Sequence, residues 1–229
     1  MQNQNSFEIF EEYYSKTPFR KVLWNQLEEK EIYKTLKKLG VPENFKIVSL
    51  GCGTGQKEIY AANKGYKNIV GVDISRAAIE KAKLLAQEVG TTIKFHAENI
   101  LTLGQSEILK NIQEPDLVLD WMSFHSVEEK YRRQYVETIE AINPKWILVR
   151  TFSKKDSDYL RTKKSKLPLG IEGMYKRFFD ISDLKKLFSK FIPIINFDTK
   201  EIIDPKRFID NKAAAKITVL FLGKKRIFS

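Results

Sequence analysis

A chain of 229 residues with 42% hydrophobic content can bury a core across a central sheet. With a single cysteine, Cys52, no intrachain disulfide can form, and two histidines, His96 and His125, argue against a zinc cluster. No apolar run approaches the ~18 residues of a membrane span, and residues 1–10 are polar and acidic rather than a secretory signal, so a soluble, cytoplasmic protein with no membrane partner is expected.

The net charge of +11 is largely scattered lysine, the pattern of a solvated surface rather than of a nucleic-acid footprint. Residues 1–40 suggest one or two helices, with Thr17-Pro18 as a start and Gly40 as a stop. From about Phe45 to Ile142 strands and helices alternate, which indicates an α/β fold with a parallel sheet covered on both faces. Ile47–Leu50, Ile69–Val72, Leu117–Leu119 and Trp146–Val149 are apolar runs of the kind buried on both faces, whereas Thr92–Ala97 alternates as a sheet edge would. Ser75 caps a helix whose apolar face is Ile79, Ala82, Ala86 and Val89, and Gly90 ends it. Ser126 and Glu129 form a capping-box pattern ahead of Val127, Tyr131, Tyr135, Ile139 and Ile142. Residues 151–179 are polar and basic and read as an insert. A short helix over Asp180–Phe191 then precedes two strands, Ile192–Ile203 and Ile217–Leu222, which can pair antiparallel. No internal repeat is present, and the expected organisation is a single domain over residues 1–229.

The first core strand runs straight into Leu50-Gly51-Cys52-Gly53-Thr54-Gly55, which opens a helix at Gln56. Glycines are needed where the chain turns sharply and a ligand approaches the backbone. Asp73 ends the next strand about 20 residues on, where a carboxylate can accept from both hydroxyls of a ribose. The dinucleotide fingerprint G-x-G-x-x-G fails, because Gln56 stands where its third glycine belongs. A Walker A loop fails too, for want of a Lys-Ser/Thr pair after the glycines.

Ser49–Gly55 followed by Gly71-Val72-Asp73-Ile74-Ser75 resembles the first two motifs of class I S-adenosylmethionine-dependent methyltransferases. The similarity extends from about residue 45 to the C-terminus. It implies a doubly wound, mostly parallel, seven-stranded Rossmann-like sheet with an antiparallel last strand. It also implies S-adenosyl-L-methionine as cofactor, held by Gly51, Cys52, Gly53, Gly55 and Gln56 around its methionine part. Asp73 and Ile74 would hold the ribose, Asn99 and Ile100 the adenine, and Asp120 the methionine ammonium. Two positions depart from the family: an acid is usual at position 49, where this chain has Ser49, and Asp is usual where it has Asn99. An asparagine carbonyl still accepts from an adenine N–H.

The acceptor is less constrained, because methyl transfer is an in-line displacement that mostly needs alignment. Asp120-Trp121-Met122-Ser123-Phe124-His125-Ser126 is similar to the Asp-Arg-Gly-x-Phe-His-His stretch of small-molecule methyltransferases of the thiopurine and tellurite-resistance type, with Trp121 and Met122 as departures. Asp120 and His125 are the catalytic candidates. With an ordinary pKa near ~6.5, His125 would take a proton from the acceptor as pH rises. The packing alternative is that His125 only supports the Ser126 helix. Tyr14, Arg20, Trp24 and Trp121 are candidates for contacting the acceptor, the first three on a segment that covers the cofactor in small-molecule members of the family. The Asn/Asp/Ser-Pro-Pro-aromatic pattern of amino-group base methylation is missing after strand four, and Cys52 lies in the cofactor loop rather than where a cytosine nucleophile is needed. The expectation is methyl transfer to a small molecule. The alternatives are an RNA methyltransferase that uses Lys154, Lys155, Arg161, Lys163, Lys164 and Lys166 of the insert, or a protein that binds the cofactor without transfer.

Overall fold

The computed structural model describes residues 6–22, 25, 29–108, 114–168, 173–201 and 214–223. They fall into two compact units, residues 1–119 with 138–144 and residues 120–137 with 145–229. Among the described residues no helix is long and apolar enough to cross a membrane.

In the first unit β1 (Ile47–Leu50), β2 (Ile69–Asp73), β3 (Lys94–Ala97) and the start of β4 (Leu117–Trp121) run in the order β3-β2-β1-β4. β1 pairs parallel with β2 from Ile47↔Ile69 to Leu50↔Val72, and β2 pairs parallel with β3. Parallel neighbours need a crossover between them, and α3 (Gln56–Asn63) and α4 (Arg76–Val89) supply it. Every residue of β1 is buried, whereas β3, at the end of the order, has both termini exposed. In α4, Ser75 Oγ accepts from Ala78 N–H at 3.1 Å and Gly90, at φ +74°, stops the helix. Ile79, Ala82 and Ala86 are buried as expected, but Val89 is 44% exposed, because the sheet-facing stripe ends one turn earlier. Towards the N-terminus lie α1 (Ser6–Lys16) and α2 (Glu31–Lys38), and Pro18 starts a 3-10 turn, Phe19–Lys21.

In the second unit the order is β4-β5-β7-β6, with β9 also on β5 and β8 on β9. β5 (Trp146–Ser153) pairs antiparallel with β9 (Ala214–Gly223) from Trp146↔Leu222 to Phe152↔Lys216, and β9 pairs antiparallel with β8 (Phe191–Glu201). The last strand is therefore antiparallel, as expected. The basic segment 151–179 is more ordered than its composition suggested. β5 runs on to Ser153, Asp156 caps α6 (Ser157–Thr162), and β6 (Lys166–Pro168) forms a hairpin with β7 (Tyr175–Phe179). β7 joins β5 in parallel at Phe152↔Phe178 and Ser153↔Phe179, so the described residues form nine strands where seven were expected. Polar residues hide this strand in the sequence because Lys176 spends its charge on Asp158 and Arg177 bonds two carbonyls.

The helix expected from Ser126 starts late. Residues Phe124–Ser126 and Glu129–Tyr131 form 3-10 turns, and α5 spans Arg132–Ile142. Arg177 Nη1 donates to the carbonyls of His125 (3.0 Å) and Ser126 (3.2 Å), acceptors that an α-helix through Ser126 would have needed. The apolar face accordingly begins at Tyr135, and Tyr131 is 40% exposed. A fully developed capping box, Asp180 with Asp183, opens α7 (Ile181–Leu187). The core of this unit is aromatic: Phe124 packs on Tyr135, Phe179 and Phe188, and Phe188 on Phe221.

Candidate cofactor and active site

The glycine loop follows β1 because Cys52 N–H bonds Val72 O (3.0 Å), which carries the sheet ladder one residue past the strand. The chain then turns through left-handed backbone at Gly51 (φ +65°), Gly53 (φ +55°) and Gly55 (φ +67°). These are conformations that cost other L-residues about 1–2 kcal/mol each. Gly55 has a packing reason as well, since a Cβ there would overlap the Phe95 ring.

Three acceptors surround this turn. Asp73 takes N–H bonds from Gly53 (2.8 Å) and Ser75 (2.9 Å), which ties the loop to the end of β2. Burial raises its carboxyl above the ordinary value, while the amides of Ser75 and Gly53 pull it back. Glu58, in the first turn of α3, accepts from Ser49 Oγ at 2.7 Å and is likewise raised by burial. Gln56 Oε1 is buried without a hydrogen-bond partner among the described residues. Burial, then the Glu58 and Asp73 charges, push the Cys52 thiol well up, which leaves it unreactive. Asn99 uses its side-chain oxygen to cap the turn at Leu101 N–H (2.9 Å), and a carbonyl retains a second lone pair for a ligand. Ile74 and Ile100 are half-buried beside these positions.

The N-terminal segment is fastened to the same loop. Thr54 Oγ1 donates to Asn25 Oδ1 (2.8 Å), and Gln56 Nε2 reaches Glu29 (3.4 Å). Glu11 accepts from Ser75 Oγ (2.7 Å) and Ala77 N–H at the start of α4. Of the residues expected to touch the acceptor, Tyr14 is buried with Val22 and Ala78, and Arg20 is exposed. Trp24 lies outside the described residues. Asn25, Glu29 and Glu58 were missed in the sequence, where nothing distinguishes them from surface polar residues.

In the second unit Asp120, the last residue but one of β4, is fully buried. It accepts from the N–H groups of Ser123 (3.0 Å) and Phe124 (3.0 Å), from Ser123 Oγ (2.7 Å) and from the Tyr135 hydroxyl. Burial raises its carboxyl, and these donors oppose the rise. Met122, just beyond, has φ +69° and gives its N–H to Arg150 O (2.9 Å). Such backbone in a non-glycine residue stores strain. The Arg150 guanidinium lies 4.8 Å from the Trp121 ring centroid. His125 is 6% exposed, packs edge-on to Phe152 at 4.8 Å, and has a buried Nδ1 with no hydrogen-bond partner among the described residues. Burial, then the Arg177 and Lys216 charges, lower its pKa to about 3. The expectation of titration near ~6.5 is thereby corrected: the imidazole stays neutral at physiological pH.

The loop and its acceptors fit S-adenosylmethionine. Left-handed glycines let a ligand approach the backbone, Asp73 keeps acceptor capacity beyond its two amides, and Gln56 Oε1 is a buried acceptor with no partner among the described residues.

Comparison with known proteins gives the same assignment. A family described as a methyltransferase domain matches residues 42–159, just over half of the chain. Among curated relatives, an uncharacterized protein of Methanocaldococcus jannaschii is 25% identical over 169 residues, 69% of this chain and 75% of that one. EEF1A lysine methyltransferase 2 of Danio rerio is 28% identical over 109 residues, 44% of this chain and 45% of that one. Among solved structures, a SAM-dependent methyltransferase from Anabaena variabilis superposes with a TM-score of 0.75 at 17% identity, over 96% of this chain and 95% of that one. The 1,6-didemethyltoxoflavin-N1-methyltransferase of Burkholderia thailandensis, solved with S-adenosylhomocysteine, does so at 0.66 and 16% identity, over 94% and 87%. With its glycine loop, strand-end carboxylate and sheet order in agreement, the chain belongs to the methyltransferase domain family and is an S-adenosylmethionine-dependent methyltransferase.

Proposed function

We propose that this enzyme methylates a small molecule, with the acceptor seated against Trp121, Met122, His125 and Phe152 of the second unit. The observation that carries the choice over RNA is the state of the basic insert. Lys154 pairs with Asp180 and Asp183, Lys155 with Asp198, and Arg161 with Asp158. Lys163 and Lys166 lie near the rings of Tyr159 and Tyr175. A phosphate-binding surface needs cations presented together to the backbone of the nucleic acid, and much of this charge is met locally. The toxoflavin-precursor methyltransferase sharing the fold acts on a small molecule by its name, and the zebrafish relative is named for a protein lysine but is matched over less than half its length.

S-adenosylmethionine supplies an electrophilic methyl group on a sulfonium. The chain's share is to bind, align and exclude water. Asp73 accepts from the ribose, and the loop amides and Asn99 hold the rest of the nucleoside. Asp120 fixes the Ser123–Phe124 turn, and with it His125. Trp121, Met122 and Phe152 give the acceptor a dry wall. Neutral His125, buried edge-on to Phe152, completes that wall. Residues 1–40 cover the cofactor, through Asn25, Glu29 and Glu11, and Arg20 is an exposed polar group of that cover. Within one methyltransferase domain, residues 151–179 serve the acceptor side.

The test is methyl transfer from labelled cofactor to metabolite, RNA and protein fractions, followed across salt concentration. Turnover on a metabolite, nearly flat in salt and unchanged by Lys163→Ala/Lys164→Ala/Lys166→Ala, is expected. Labelled RNA with a steep salt dependence, or a labelled protein lysine, would overturn the small-molecule reading.

A further inference from the structure

Among the described residues of the first unit, Glu58 is a buried carboxylate with no role so far. Glu58 is 3% exposed, and its Oε1 is held by the hydroxyl of Ser49, a fully buried residue of β1 two positions before Gly51. Glu58 lies in the first turn of α3, directly after the loop, and its charge raises the Cys52 thiol in the middle of that loop. An ionised carboxylate removed from water is costly unless a cation or several donors meet it, and the Ser49 hydroxyl, the backbone N–H of Glu58 and the Lys57 charge do not offset the rise that burial causes.

We propose that Glu58 is the counter-charge for the α-ammonium of S-adenosylmethionine, with Ser49 orienting the carboxylate. The cofactor brings two cationic groups. Its sulfonium carries no N–H to donate, whereas the ammonium has three donors and makes the stronger, charge-assisted bond to a carboxylate. Asp73 is committed to the end of β2 through Gly53 and Ser75. Glu58 instead reaches the loop from α3, so the two acids serve different ends of one ligand. The arrangement also explains a buried serine in an otherwise apolar strand: its hydroxyl keeps Glu58 aimed at the loop rather than along the helix. The inference rests on the cofactor alone and holds whatever the acceptor proves to be.

The experiment is calorimetric binding of S-adenosylhomocysteine and of 5′-methylthioadenosine, which is the same nucleoside thioether without the amino acid. Binding of methylthioadenosine to the wild type establishes the nucleoside seat independently of any search for an acceptor. Glu58→Gln keeps the shape and an acceptor for Ser49. It is expected to weaken S-adenosylhomocysteine about 10- to 100-fold, the range for a lost hydrogen bond to a charged group, and to leave methylthioadenosine unchanged. Equal losses on both nucleosides, or no loss on either, would overturn the assignment. Ser49→Ala is the gentler second variant: a several-fold loss confined to S-adenosylhomocysteine supports the pairing, and an equal loss on both refutes it.

Discussion

Asp73 ends β2 and Asp120 stands one residue before the end of β4; both are buried, and burial raises both carboxyls. Their hydrogen bonds differ. A carboxylate has roughly four acceptor directions. Asp120 fills them with two amides and two hydroxyls of its own unit. Asp73 bonds the amides of Gly53 and Ser75, with Ile74 N–H also stabilising its charge, and keeps acceptor capacity for a ligand. An acid at the ligand-binding edge of a parallel sheet is therefore not by position alone a ligand contact; what matters is how many of its lone pairs the protein has already used.

The largest effect should come from breaking the loop that Asp73 serves. Gly55→Val forces a branched residue to φ +67° and drives a side chain into Phe95. Backbone strain and overpacking together should cost about 2–5 kcal/mol of stability, read by urea unfolding, and cofactor binding should be lost with it. A stable variant that binds normally would show that the loop is a plain turn.

Removing each acid in turn sharpens the contrast. Asp120→Ala strands buried donors and should cost about 3 kcal/mol or more of folding stability. Asp73→Ala should cost less stability, because its loop reaches solvent, but weaken the cofactor by about 1.5–3 kcal/mol. Unfolding curves and calorimetry on both variants measure the exchange. The same profile for both would remove the distinction drawn here.

Much of the cofactor half was legible because its determinants are local. Glycine spacing, an apolar strand on either side and Asp73 at a strand end all follow from sequence order, and the β1, β2 and α3 boundaries differ little from those expected. What depends on partners distant in sequence was not legible. Glu58 matters because Ser49, nine residues earlier, faces it across two elements, while the sequence directs attention to position 49 itself. The β6–β7 hairpin was hidden because lysine and arginine in a strand look like loop until Asp158 and the His125 and Ser126 carbonyls are seen to absorb them. The Ser126 cap was misleading for the same reason: Arg177 claims the acceptors that the helix would use.

The smallest effect concerns His125 and is read as a slope with pH. The unfolded chain binds a proton at this side chain below ~6.5, whereas the folded protein resists until about 3, because burial and the Arg177 and Lys216 charges oppose the imidazolium. A depressed histidine contributes stability that is complete above ~6.5 and is lost as pH falls through the window towards 3, at about 1 kcal/mol per pH unit. His125→Asn removes this proton linkage, so wild type and variant should differ by a constant between pH 7 and 8. Below ~6.5 the wild type should lose ground steadily. Urea unfolding of both proteins at several pH values checks this, and parallel curves down to pH 5 would mean that the side chain titrates normally in the folded state. Catalysis gives an independent reading of the same neutral imidazole. So low a pKa makes a weak base, so turnover in His125→Asn should fall only about 2- to 10-fold, and by the same factor at pH 6 and pH 8. A loss that grows with pH through ~6.5 would place the working pKa at the ordinary value and contradict the buried, cation-flanked setting.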